Sequence, residues 1–115
     1  MAYDEELAGR LRDLLEQEPA AAGEELAERR MFGGLAFLVG GNMAIAVVGA
    51  GGVMVRVDPG ERERLLADTA AFPMEMRGRE MSGWLRVAAD DIAADDQLRP
   101  WVARGASYAA SLPAK

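Results

Sequence analysis

LAFLVGGNMAIAVVGAGGVMVRV, residues 35–57, alternates apolar runs with glycine-rich breaks, the pattern of a β-sheet. Three apolar runs, Leu35 to Val39, Met43 to Val48 and Val53 to Val57, are separated by Gly40-Gly41-Asn42 and by Gly49 to Gly52. Glycine and asparagine supply the positive φ angles that tight hairpins need, so the stretch reads as strand, turn, strand, turn, strand. In the third run Val53, Val55 and Val57 fall on one face and Met54 and Arg56 on the other, which implies a sheet with one face fully packed.

Working toward the C-terminus, Asp58-Pro59-Gly60-Glu61 reads as a helix start. Asp58 is the cap, Pro59 the first helical residue, and Glu61 is placed to complete a capping box for a helix running to about Ala67. Phe72 to Met76 is a further extended piece, Gly78 and Gly83 punctuate a loop, and Trp84 to Val87 has the composition of a final strand. Leu98, Trp101, Val102, Gly105, Ala109 and Leu112 form one helical stripe. Its start lies near Asp95 or Asp96, and Pro100 moves the regular part toward Gln97, with Pro113 as the stop. Toward the N-terminus, Asp4 caps a helix from Glu5 to about Glu16 with Leu7, Leu11, Leu14 and Leu15 on one face. Pro19 ends it, Ala20 to Gly23 connects, and Glu24 to Arg29 is either a short helical extension or the approach to a strand. The expected fold is one α+β domain over residues 1–115. It holds a mostly antiparallel sheet of five to six strands, with an N-terminal, an intervening and a C-terminal helix packed on it.

The composition narrows the chemistry. The 115 residues contain no cysteine and no histidine, which removes disulfides, thiolate nucleophiles, the commonest zinc-ligand sets and the usual general base near neutral pH. Thirteen Lys and Arg against 19 Asp and Glu give a net charge of −6, unfavourable for a polyanion, so direct nucleic-acid binding is not expected. With no leader-like or membrane-spanning stretch, the expected location is the cytoplasm.

Several features invite a chemical reading and are better explained without one. Gly33-Gly34 and Gly40-Gly41 lack the Gly-Lys-Ser/Thr of a phosphate loop, and Gly49-Ala50-Gly51-Gly52 leads into a β-like run where a dinucleotide fingerprint needs a helix. Asp90-Asp91 and Asp95-Asp96 read as acidic helix starts rather than a divalent-ion site. Ser82 has no histidine to activate it, and the only lysine is the terminal Lys115. Arg56, inside an apolar strand, needs an internal carboxylate, a bound anion or a partner. Met31, Met43, Met54, Met74, Met76 and Met81 either fill the core or, gathered on the open sheet face with Phe32 and Trp84, form a partner groove.

Taken in order, MFGGLAFL (residues 31–38), the Gly41-Asn42-Met43 turn, MVRV (54–57), MSGW (81–84), Trp101, and Ser111-Leu112-Pro113 with Lys115 resemble the N-terminal domain of the TfoX/Sxy proteins. The opening MAYDEEL (1–7) belongs to the same pattern, although Ala20 to Glu28 is longer than in it. The resemblance implies the same α+β arrangement. TfoX/Sxy proteins are bacterial regulators of natural competence, coactivators with the cyclic-AMP receptor protein, and carry a second, C-terminal domain. The expectation is therefore a stand-alone N-terminal module that lacks that domain, is not an enzyme, and uses no cofactor or metal. It is expected to bind a protein partner, with the transcription machinery and a second copy of the chain as candidates. Phe32, Gly33, Gly34, Asn42, Met43, Arg56 and Trp84 are the candidate binding residues. The other readings are a small-ligand or anion-binding protein built on Arg56 with Arg77 or Arg86, which extends to an enzyme of a class not recognised, and nucleic-acid binding through Arg77, Arg79 and Arg86.

Overall fold

A computed structural model describes residues 3–31 and 33–114. Helix α1 spans Glu5–Gln17, and Asp4 caps it as expected, its Oδ1 accepting from the amide of Leu7 at 3.0 Å. Leu7, Leu11, Leu14 and Leu15 are buried along one side. A 3-10 turn at Pro19–Ala21 follows, and the open reading of Glu24 to Arg29 resolves as strand β1, Leu26–Met31. The glycine-punctuated stretch then forms β2 (Gly34–Val39), β3 (Asn42–Val47) and β4 (Val53–Arg56), each antiparallel to the strand before it.

Past β4 three details depart from the sequence reading. The segment after Asp58 opens as a 3-10 turn, Pro59–Glu61, and only then becomes helix α2, Arg62–Asp68. Asp58 Oδ1 accepts from the Gly60 amide at 2.9 Å, and the Glu61 carboxylate is drawn to Arg64 at 3.3 Å, so the capping box does not form. After β5 (Phe72–Met76), the last strand β6 runs from Arg79 to Val87 and takes in Gly83, which the sequence reading assigns to a loop. Gly83 stays in the ladder because its carbonyl accepts from the Val57 amide at 2.9 Å. Helix α3, Asp95–Ser111, is regular from Asp95 and not from nearer Gln97. The amide that Pro100 lacks would have served the carbonyl of Asp96, in an exposed first turn where water can take its place. The Gln97 side chain completes the start, accepting from the Ala94 amide at 3.0 Å.

The six strands form one antiparallel sheet in the order β1-β2-β3-β4-β6-β5, so β6 sits inside the sheet and β5 at its edge. The buried apolar residues of all three helices, Leu65 of α2 and Trp101 and Val102 of α3 among them, join one core with Phe37, Ile45, Val55 and Leu85. All three helices thus lie against a single face. Backbone closeness sets how α3 seats: a Cβ at Gly105 would fall 2.4 Å from the carbonyl oxygen of Ala44, so only glycine lets the helix approach β3. No helix of the described residues is long and apolar enough to cross a membrane.

Candidate functional site

In a strand, alternate residues serve opposite faces, so the residues between the core positions must go to the side without helices. Ala36, Leu38, Ala46, Val48, Met54 and Met74 form a second apolar cluster there, and it contains no helical residue. Met31, Met43, Met76, Met81 and Trp84 pack over it, each only partly buried. Every methionine after Met1 is on this face. Six flexible thioether side chains cover the sheet where a globular protein usually places a second layer.

The charged residues of the strands are sorted between the two faces. Directly opposed residues of an antiparallel pair share a face. Arg29 lies opposite Ala36, Arg56 opposite Trp84, Arg79 opposite Met76 and Arg86 opposite Met54, each partner belonging to the methionine cluster. The carboxylates go the other way. Glu28 lies opposite the core residue Phe37, Glu80 pairs with Arg62 of α2, and Glu75 lies opposite Glu80. A chain of net charge −6 thus presents apolar side chains edged by guanidinium groups on one side of its sheet.

Arg56 is the last residue of β4, and its guanidinium is half-buried at the strand's end, where the methionine face meets α3, 5.8 Å from the Trp84 centroid and 5.7 Å from that of Tyr108 in α3. The internal ion pair that the sequence suggested is not what holds it: among the described residues no carboxylate lies within 4 Å of its nitrogens. The rings' negative faces take the place of a carboxylate and leave the guanidinium donors uncommitted. Arg86 is held similarly, 5.4 Å from the Phe72 ring centroid and donating from Nη2 to the Gly51 carbonyl at 2.7 Å. On the helix side, by contrast, Arg12 meets Glu28 through two hydrogen bonds, and that contact holds the Glu28 carboxyl below the usual carboxylate range despite partial burial.

Of the residues singled out from sequence, Met43, Arg56 and Trp84 come together on this face. Phe32 lies outside the described residues. Gly33 sits in the β1–β2 turn at φ 69°, and a Cβ at Gly34 would fall 1.8 Å from the Val47 carbonyl oxygen, so both serve the backbone. Asn42 is buried and spends its amide inside the fold, donating to the carbonyls of Pro113 at 3.0 Å and Ala109 at 3.4 Å. Sequence reading did not place Phe72 or Arg29 at the site. Strand parity would have found them only with the pairing register known. The arginines suggested for an anion site share no cavity among those found: Arg86 lines one of about 260 Å³ with Phe72, while a separate one of about 420 Å³ is lined by Asp58, Arg104, Tyr108 and Ser111. No group of three or more metal-ligating side chains occurs among the described residues.

The family model of the TfoX N-terminal domain matches residues 18–109, from the 3-10 turn after α1 almost to the end of α3. No curated protein matches the chain.

Proposed function

The chain belongs to the TfoX N-terminal domain family, and from that premise we propose that it is a non-enzymatic protein-interaction module of transcriptional regulation in the bacterial cytoplasm. The observation that carries this reading is the gathering of six methionines and Trp84 on the sheet face that no helix covers, with arginines around them. Protein interfaces are enriched in methionine, aromatic residues and arginine and depleted in lysine and carboxylates, and this face has that composition. Absence of histidine and cysteine also suits binding without chemistry. The test is affinity capture of the tagged protein from its own cell lysate, with and without nuclease. The reading expects a transcription factor or polymerase subunit that survives nuclease and is lost with Met76→Asp and Met81→Asp. Both side chains are partly exposed, so each variant should keep its circular dichroism spectrum. Capture unaffected by the two variants, or dependent on intact nucleic acid, would remove the reading.

A second reading, anion binding at Arg56, is favoured by its uncommitted guanidinium close to Trp84 and Tyr108. Calorimetric titration with inorganic phosphate, compared with Arg56→Ala, tests it.

A further inference from the structure

Resting on the reading of the methionine face as a docking surface, we infer that its occupant is an acidic amphipathic helix of a partner protein. The helix sets its apolar stripe on the methionines and Trp84 and its carboxylates against Arg29, Arg56, Arg79 and Arg86.

Charge is the first argument. Of the eight other arginines, five, Arg10, Arg12, Arg62, Arg64 and Arg99, pair with carboxylates of the chain itself, and Arg30, Arg77 and Arg104 stand apart from the methionine face without such a pair among the described residues. The four arginines on the methionine face make no such pair either, and the strand carboxylates Glu28, Glu75 and Glu80 belong to the opposite face. Arginines left without carboxylates around an apolar centre are complementary to an occupant that brings both apolar surface and negative charge. A basic helix would meet like charge. So would a second copy of this chain docked face to face about a two-fold axis, because the same arginine-edged patch would oppose itself.

Backbone chemistry argues for a helix. An extended segment gains its affinity by adding to a sheet edge, whereas a sheet face offers side chains and no free amides or carbonyls. A segment laid on that face must satisfy its own backbone, which a helix does. Methionines then adapt to its ridges, as unbranched thioethers do. A nucleic acid fits less well. Its bases stack on aromatic planes, but the described aromatics here are Trp84 and Phe72, each already associated with an arginine, and the centre is aliphatic and thioether.

The test replaces methionine with its diazirine analogue during expression in the protein's own cells, followed by irradiation and mass spectrometry of cross-linked peptides. Circular dichroism checks that the labelled protein is folded. The expected result is a segment joined to Met43, Met76 or Met81 that has apolar residues at three- and four-residue spacing and an excess of Asp and Glu. Made as a peptide, it should bind the purified protein, bind about tenfold more weakly when its acids become amides, and weaken with added salt. Arg29→Glu with Arg79→Glu, both exposed positions, should abolish that binding and favour a lysine-substituted peptide instead. A cross-linked segment that is neutral, basic or a second copy of this chain overturns the inference and leaves the docking surface standing. Cross-links that vanish on nuclease treatment, or none from these methionines, overturn the docking reading as well.

Discussion

Two glycines in helices should respond to the same substitution in opposite ways. A Cβ placed on Gly9 of α1 would have nothing within 4 Å, so Gly9→Ala should stabilise the protein by about 0.5–1 kcal/mol through helix propensity. Gly105→Ala meets the Ala44 carbonyl oxygen at 2.4 Å, a contact with backbone that cannot rotate away, and should cost about 1–3 kcal/mol or more as α3 is pushed off the sheet. Urea unfolding of both variants checks the pair. Asn42 belongs to the same scale: Asn42→Ala removes the side-chain donor that ties β3 to the Pro113 carbonyl, while the Ala109 carbonyl keeps the Leu112 amide, and should cost about 0.5–1.5 kcal/mol, read by the same unfolding assay. Glu28 makes a prediction in pH. Arg12 holds its folded carboxyl below the ordinary value, so the contact contributes stability above the ordinary glutamate range and loses it as pH falls through the depressed value. Urea midpoints measured against pH should therefore fall more steeply on the acid side for the wild type than for Glu28→Gln.

Among the elements, the two helix starts that look alike in sequence differ in structure. Asp4 accepts from an amide of α1, and Asp4→Ala should cost about 1 kcal/mol. At the second start Asp58 does accept from the Gly60 amide, but Glu61, placed in sequence to complete a capping box, completes none and pairs with Arg64 at the surface, so Glu61→Ala should change stability by less than about 0.5 kcal/mol. Thermal melts of the two variants distinguish a formed cap from one that the motif only suggested. The strands show a related contrast. Gly33, Gly40-Gly41 and Gly51-Gly52 mark turns that could be read from sequence because a left-handed backbone requires glycine there. Gly83 has no such conformation and lies within β6, where its part in the ladder depends on the neighbouring strand.

Over the whole molecule, the sheet separates a helix-covered core from a face covered by methionine side chains. Oxidation by hydrogen peroxide should respect that layering. Met31, Met43, Met76 and Met81, partly exposed, should be oxidised faster than Met54 and Met74, which are 2% and 7% exposed, as read by peptide mass spectrometry. Equal rates for all six would contradict the packing described. The apolar runs, their turns and the stripes of α1 and α3 were determined by the sequence itself, because period and turn chemistry are local properties. Met54 and Arg56 could also be assigned to the face opposite the valines of β4, since parity within one strand is local. Which of those faces the helices would cover, and that β6 would insert between β4 and β5, was decided by tertiary structure. The register shifts at Phe37/Leu38 and Pro73/Glu75 reset parity between strands, so the convergence of six scattered methionines and four arginines on one surface depends on pairings between residues far apart in the chain.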